Sequence, residues 1–207
     1  MKKKLPFLLF FLLLFIGFVL FSYFVHKNLF TQFDFDITVK LQDNISRSFD
    51  TPFSLFSLIG SFEITIAILL VMLLLFKRLK GIFVLFSFLL FHVFELYGKT
   101  FVDHPGPPFM FFRYDIPFLF PSSYVQPGSS YPSGHSARTL FISVILGFLI
   151  SKTKLKNSHK NLIYIIIIVF DFVMLVSRVY LAEHWMSDVL GGGLLGAAFA
   201  IAALILL

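Results

Sequence analysis

Ser177-Arg178-Val179-Tyr180-Leu181-Ala182-Glu183-His184-Trp185-Met186-Ser187-Asp188 puts charge between two strongly apolar segments, about 162–180 and about 184–207. Each of those segments approaches or exceeds the roughly 20 apolar residues a helix needs to cross a bilayer. Ionisable groups at the edge of a bilayer core are costly, and they usually mark a site when they come with partners. The spacing supplies the partners. With a helix starting near His184, Asp188 lies four residues on along the same face, so its carboxylate takes the Nδ1 proton and leaves Nε2 bare as a nucleophile or base. Arg178, six residues before His184 and across a short turn, offers a planar fork of donors suited to phosphate oxygens.

The surrounding chain fits a membrane setting. It is 58% hydrophobic with 31 phenylalanines among 207 residues, and its mean hydropathy is +0.91, far above a soluble domain. Cysteine is absent, which excludes disulfides, thiolate metal sites and a cysteine nucleophile. A net charge of +6 does not point to nucleic acid. Most Lys and Arg fall in short clusters between apolar runs, a pattern that topology explains.

Six spans are expected. Met1-Lys2-Lys3-Lys4 precedes an apolar run from about 5 to 25, read as a retained N-terminal anchor, because the run is long for a signal peptide and ends in bulky Phe-Ser-Tyr-Phe. Residues 26–51 interleave aromatic and charged side chains and read as a surface amphipathic segment or a connecting loop. The second span runs from about 52 to 76 with Glu63 inside it, and the third from about 82 to 102. In the third, His92, Glu95 and Lys99 recur on one helical face turned into the bundle. A proline-rich stretch, 103–131, carries aromatic pieces at 109–112 and 118–120 suited to the headgroup layer. The fourth span runs from about Gly134 to Ile150, the fifth from about Leu162 to Tyr180 and the sixth from about His184 to Leu207, with Gly192 and Gly196 as a small-residue packing pair. The whole chain, 1–207, is thus an all-α, six-helix membrane domain, with a core over about 50–205.

Lysines and arginines cluster at the N-terminus, at 77–80 and at 152–160. In a six-span chain these loops share one side, the cytoplasmic one, and both termini lie there too. Lys99, His135, Arg178 and His184 then converge on the opposite, extracytoplasmic face of a plasma (inner) membrane. Trp185, Tyr97, Tyr131 and Tyr180 fall near the same level and read as interfacial aromatics.

The Ser-Arg, five residues, His, three residues, Asp pattern of 177–188 resembles the third signature of the type 2 phosphatidic acid phosphatase superfamily. Pro132-Ser133-Gly134-His135 matches the second signature in full. The first, Lys, six residues, Arg-Pro, is partly present: Lys99 is there, but Gly106 stands at the arginine position before Pro107. The resemblance implies a metal- and cofactor-independent hydrolase of lipid phosphates or diphosphates. In that scheme His184, oriented by Asp188, attacks phosphorus to form a phosphohistidine, and His135 protonates the leaving group and then activates water. Lys99, Arg178, Ser133 and the Gly134 N–H hold the phosphate oxygens.

The missing first-signature arginine leaves the phosphate short of a charge-assisted donor. Arg138, one turn into the fourth span, is the favoured substitute over Arg113 in the preceding loop. Two other readings stay open: a site that binds a lipid phosphate without cleaving it, and a transferase passing the phosphoryl group to another acceptor. Metal binding lacks a ligand motif, although Asp103, His104, His135, His184 and Asp188 carry suitable atoms. Gly98-Lys99-Thr100 matches the end of a P-loop, but Val93 replaces its leading glycine. The sequence leaves the lipid tail and the oligomeric state open.

Overall fold

A computed structural model describes residues 4–75, 81–118, 120 and 129–206 of the chain. Among them there are eight α-helices and no β-strand, apart from an isolated bridge between Pro105 and Ser129. The helices are α1 (Leu5–His26), α2 (Thr31–Asn44), α3 (Asp50–Ser57), α4 (Phe62–Leu75), α5 (Gly81–Phe101), α6 (Gly134–Ser151), α7 (Asn157–Tyr180) and α8 (Met186–Leu206). The fold is all-α, as expected. The basic cluster at 77–80, the lysines at 2 and 3 and residue 119 of the aromatic loop lie outside the described residues.

Five helices, α1, α5, α6, α7 and α8, are each long and apolar enough to span a bilayer. The expected second span is different. Residues Arg47–Gly60 and Phe62–Leu75 form a helix pair bent by 51°, the geometry of a broken span or a re-entrant loop. Hydropathy reads this run as continuous because it is blind to direction. The bend falls where Gly60 and Ser61 interrupt the helix, and Ser61 restarts it by accepting from the Ile64 N–H at 3.4 Å. The boundaries of the other spans differ from expectation by a few residues. α8 begins at Met186 rather than near His184, which leaves His184 on the turn before the helix.

α8 is the hub, packed against α6, α1 and α5, with α7 laid against α6. Its small residues make this possible. A Cβ on Gly192 would strike the Ser133 carbonyl, and one on Gly196 the Ala137 carbonyl, so the α8 backbone lies directly on α6. Without a hydrophobic gain between helices in lipid, such close backbone contact carries the association. α1 is more than an anchor. Its Phe11 and Phe15 meet Phe199 of α8 edge-on at 6.3 and 6.1 Å, and its Ser22 hydroxyl is 2.8 Å from that of Tyr131. Gly196→Val is expected to be destabilised near or beyond the top of the about 1–3 kcal/mol range for overpacking. Gly17→Ala, with nothing near its added methyl, should melt at or above the wild-type temperature in the same detergent.

Two of the expected interfacial tyrosines have another role. Tyr131 and Tyr180 are fully buried, and the Tyr180 hydroxyl joins Asp50 at 2.5 Å and the Ser46 carbonyl at 2.9 Å. Each ring end finds protein partners, so neither tyrosine lies free at a lipid boundary. Tyr97 remains exposed.

Candidate active site

The end of α7 and the start of α8 are joined by a turn that doubles back on itself. The Arg178 carbonyl accepts from the N–H groups of both Glu183 and His184, at 3.2 and 3.3 Å. Ala182 closes the turn at φ 54°, a left-handed conformation that costs an L-residue about 1–2 kcal/mol. Strain of this kind persists where the surroundings over-determine it. Here it brings His184 back beside the end of α7.

Asp188 then organises the turn from α8. Its Oδ2 accepts from the Trp185 N–H at 2.9 Å and stands 3.4 Å from His184 Nδ1. His184 Nδ1 and Asp188 Oδ2 thus lie at ion-pair distance without a hydrogen bond between them, across the helix start rather than along one helical face. The Asp188 carboxylate is fully buried, whereas the His184 side chain keeps 12% of its surface open. Burial, followed by the charges of Lys99 and Arg178, holds the His184 imidazole well below its usual pKa. It is therefore neutral at neutral pH, with Nδ1 turned to Asp188.

Motif two arrives from α6. The Ser133 N–H donates to the Asp188 carbonyl at 3.0 Å, and the Ser136 hydroxyl to the Val189 carbonyl at 2.6 Å. These bonds pin the N-terminus of α6 to that of α8. Ser133 caps α6 by accepting from the Ser136 N–H at 3.4 Å, which leaves its own hydroxyl proton free to donate. His135, one residue into α6, is partly exposed among buried neighbours and feels the charges of Arg178, Arg138, His184 and Lys99. Gly60, at the bend before α4, lies against it: a Cβ there would meet His135 Cδ2 at 2.9 Å. The bend between α3 and α4 thus packs against His135.

The cations take distinct positions. Lys99, at the end of α5, is partly exposed on the face shared with His92 and Glu95, and Glu95 stands 3.9 Å from His92 Nε2. That face turns into the bundle, as its spacing predicts. Arg178 is fully buried and pairs with Glu183, a residue the sequence reading had not singled out. Arg138 donates Nε to the Gly60 carbonyl at 2.8 Å and lies 3.7 Å from Glu95. Gly134 is wedged against both Glu95 and Arg138, leaving no room for a side chain. Arg113 is committed elsewhere: it donates to Tyr180 Oη and the Gln42 carbonyl, each at 3.1 Å, tying α2 to α7. The structure thus brings Lys99, Ser133, Gly134, His135, Arg138, Arg178, His184 and Asp188 into one neighbourhood and keeps Arg113 outside it.

At Gly106 a Cβ would find its nearest neighbour, Ser130 Cβ, at an ordinary 3.5 Å. Backbone sterics do not impose glycine there. The loop around it is fixed by the Trp185 indole N–H on the Pro105 carbonyl at 2.8 Å and the Ser130 N–H on the His104 carbonyl at 2.9 Å. Among the described residues no group of three His, Asp or Glu side chains is arranged to hold a metal ion.

The sequence and the fold have known counterparts. Over 68 residues the chain is 43% identical to phosphatidylglycerophosphatase B of Bacillus subtilis strain 168, a match covering 32% of this chain and about a third (34%) of that protein's length. The crystal structure of a transmembrane PAP2-type phosphatidylglycerolphosphate phosphatase from Bacillus subtilis superimposes with a TM-score of 0.71 at 23% identity, over 98% of this chain and 94% of that one. LpxE of Aquifex aeolicus superimposes with a TM-score of 0.62 at 24% identity, over 82% and 93% of the two chains. The sequence profile of the PAP2 superfamily matches residues 80–207, which hold the second and third signatures and the partial first, and the chain belongs to that superfamily.

Proposed function

We propose that this protein is a lipid phosphate or diphosphate phosphatase that works through a phosphohistidine on His184, without a metal, at the extracytoplasmic face of the membrane. One observation carries the reading. Two partly open histidines, His184 beside buried Asp188 and His135 at a helix N-terminus, lie in one neighbourhood with the charges of Lys99, Arg178 and Arg138. A neutral imidazole with Nδ1 fixed presents Nε2 as a nucleophile. Positive charge around it stabilises the equatorial phosphate oxygens in the transition state.

The reaction proceeds in two displacements. His184 Nε2 bonds to phosphorus as the bond to the leaving oxygen breaks, and His135 gives that oxygen a proton. Water then attacks the phosphohistidine and gives a proton to His135, which restores the acid, while the N–P bond breaks and inorganic phosphate leaves. Ser133 and the N–H groups at the start of α6 donate to the same phosphate, aided by the helix dipole. Phosphatidylglycerophosphate is the first lipid to try, given the Bacillus relatives; undecaprenyl diphosphate, phosphatidate and lipid A phosphates follow.

The test is phosphate release by detergent-purified protein from these lipids, with EDTA present, beside His184→Ala. Release that persists in EDTA and disappears in the variant is the expected result. Release that needs added metal, or that survives in His184→Ala, overturns the mechanism. No release from any lipid by folded protein favours the binding-only reading, which Gly106 and the Glu183 carboxylate on Arg178 support. Sidedness is read separately, in membrane vesicles: in right-side-out vesicles a Phe109→Cys protein, otherwise free of cysteine, should react with an impermeant maleimide.

A further inference from the structure

Asp188 has a second histidine on its other side. Among the described residues its buried Oδ1 has no hydrogen-bond partner of good geometry; His104 Nε2 stands 3.5 Å from it, and the Ser130 hydroxyl also acts on this carboxylate. The same Nε2 lies 3.2 Å from Ser187 Oγ and 3.7 Å from Asp34 Oδ2. Asp34, on α2, accepts from the Ser187 N–H at 2.7 Å and from the Ser187 hydroxyl at 2.6 Å. His104, Asp34, Ser187 and Asp188 are all buried.

The donors and acceptors fix the proton's place. The Ser187 hydroxyl gives its hydrogen to Asp34, so its oxygen faces His104 as an acceptor. Two carboxylates and this oxygen thus converge on one imidazole nitrogen, which must carry a hydrogen. Burial raises Asp34 to a pKa of about 6, with the Ser187 hydrogen bonds pulling it back down.

We infer that His104 and Asp34 are positioning residues: the His104 Nε2–H, held in place by Asp34 and Ser187, steadies Asp188 Oδ1 so that Oδ2 stays on His184. A chain His184–Asp188–His104–Asp34 then runs from the reacting nitrogen to α2. Asp34 lies outside residues 80–207, the part matched by the superfamily profile. The segment before the profile-matched region therefore supplies part of the support for the nucleophile. Partners placed this way behind metal-bound histidines cost about 10- to 100-fold when removed, and a loss of that size is expected here.

This inference rests on the reading of His184 as the nucleophile, and the experiment separates the two. His104→Gln and His104→Met have similar volume, but only the glutamine donates a hydrogen bond. Using the lipid turned over fastest by the wild type, His104→Met should lose about 10- to 100-fold in kcat with KM unchanged, and His104→Gln should recover most of it at a similar melting temperature. A methionine variant within twofold of wild type, or equal losses in the two variants, overturns the inference. If a His104 variant does not fold, Asp34→Asn decides: kcat lowered at constant KM supports the chain, and unchanged kcat overturns it. An active His184→Ala protein would instead overturn the underlying mechanism.

Discussion

Asp188→Asn is expected to lower kcat by about 10⁴-fold while leaving KM within a few-fold, the scale seen when an orienting aspartate of a catalytic histidine is amidated. The expectation follows from what Asp188 holds. Its Oδ2 accepts from the Trp185 N–H and stands 3.4 Å from His184 Nδ1, so it faces the two groups that set the turn. Asparagine is nearly the same size, and its carbonyl still accepts from Trp185. Its amide nitrogen then has to occupy the Oδ1 side, where the His104 N–H already points. Two donors would face each other in a buried cluster, or the amide would flip and present N–H to His184 Nδ1. The flip reverses the tautomer and places the imidazole proton on the attacking nitrogen. The fold should survive, because the N–H of Ser133 bonds to the Asp188 backbone carbonyl rather than to its side chain. Turnover, KM and melting temperature measured on one preparation check the prediction. A kcat within tenfold of wild type would show that Asp188 does not orient the nucleophile.

The residues that bear on this prediction differ in how far the sequence revealed them. His184, Asp188 and Arg178 lie within twelve consecutive positions, and one turn of chain suffices to bring them together. His135 and Lys99 were placed by counting spans, since the alternation of apolar runs fixes which helix ends share a face. Pairing across the fold was not legible. Asp34 and Ser187 are 153 positions apart, and no local period links them; a buried aspartate in α2 shows in sequence only as one more charge on a mixed segment. The bend at Gly60 was hidden for a related reason. Composition records how apolar a run is, whereas the bend depends on Gly60 having no side chain where His135 packs against it. The polar ends of Tyr131 and Tyr180 suggested a water boundary, but buried hydroxyl and carboxylate partners satisfy them equally well. Arg138 drew attention because an arginine inside a span needs a reason. The structure gives part of that reason, the Gly60 carbonyl and Glu95, while keeping the charge within reach of both histidines.

Arg178→Ala should fail in two separable ways. The guanidinium is fully buried and its carboxylate partner Glu183 nearly so. Burial holds Glu183 above the usual carboxylate range, and the charge of Arg178 pulls it back. Removing the arginine leaves a buried carboxylate uncompensated, which costs about 3–5 kcal/mol of stability. It also removes a fork of donors from the transferring phosphate, worth about 10²- to 10³-fold in rate if it counts as one strong donor. The double variant Arg178→Ala/Glu183→Gln separates the two losses. A neutral amide does not need the cation, so the melting temperature should return most of the way to wild type. Turnover should stay low, since nothing replaces the fork. Arg178→Lys should behave more like the alanine variant in rate than in stability, because an ammonium neutralises Glu183 but lacks planar bidentate geometry. If Arg178→Ala melts like the wild type, the buried pair contributes nothing to the fold. If the double variant regains turnover, Arg178 serves to balance Glu183 and does not bind phosphate, and the phosphate must then be held by Lys99, Arg138 and the N-terminus of α6.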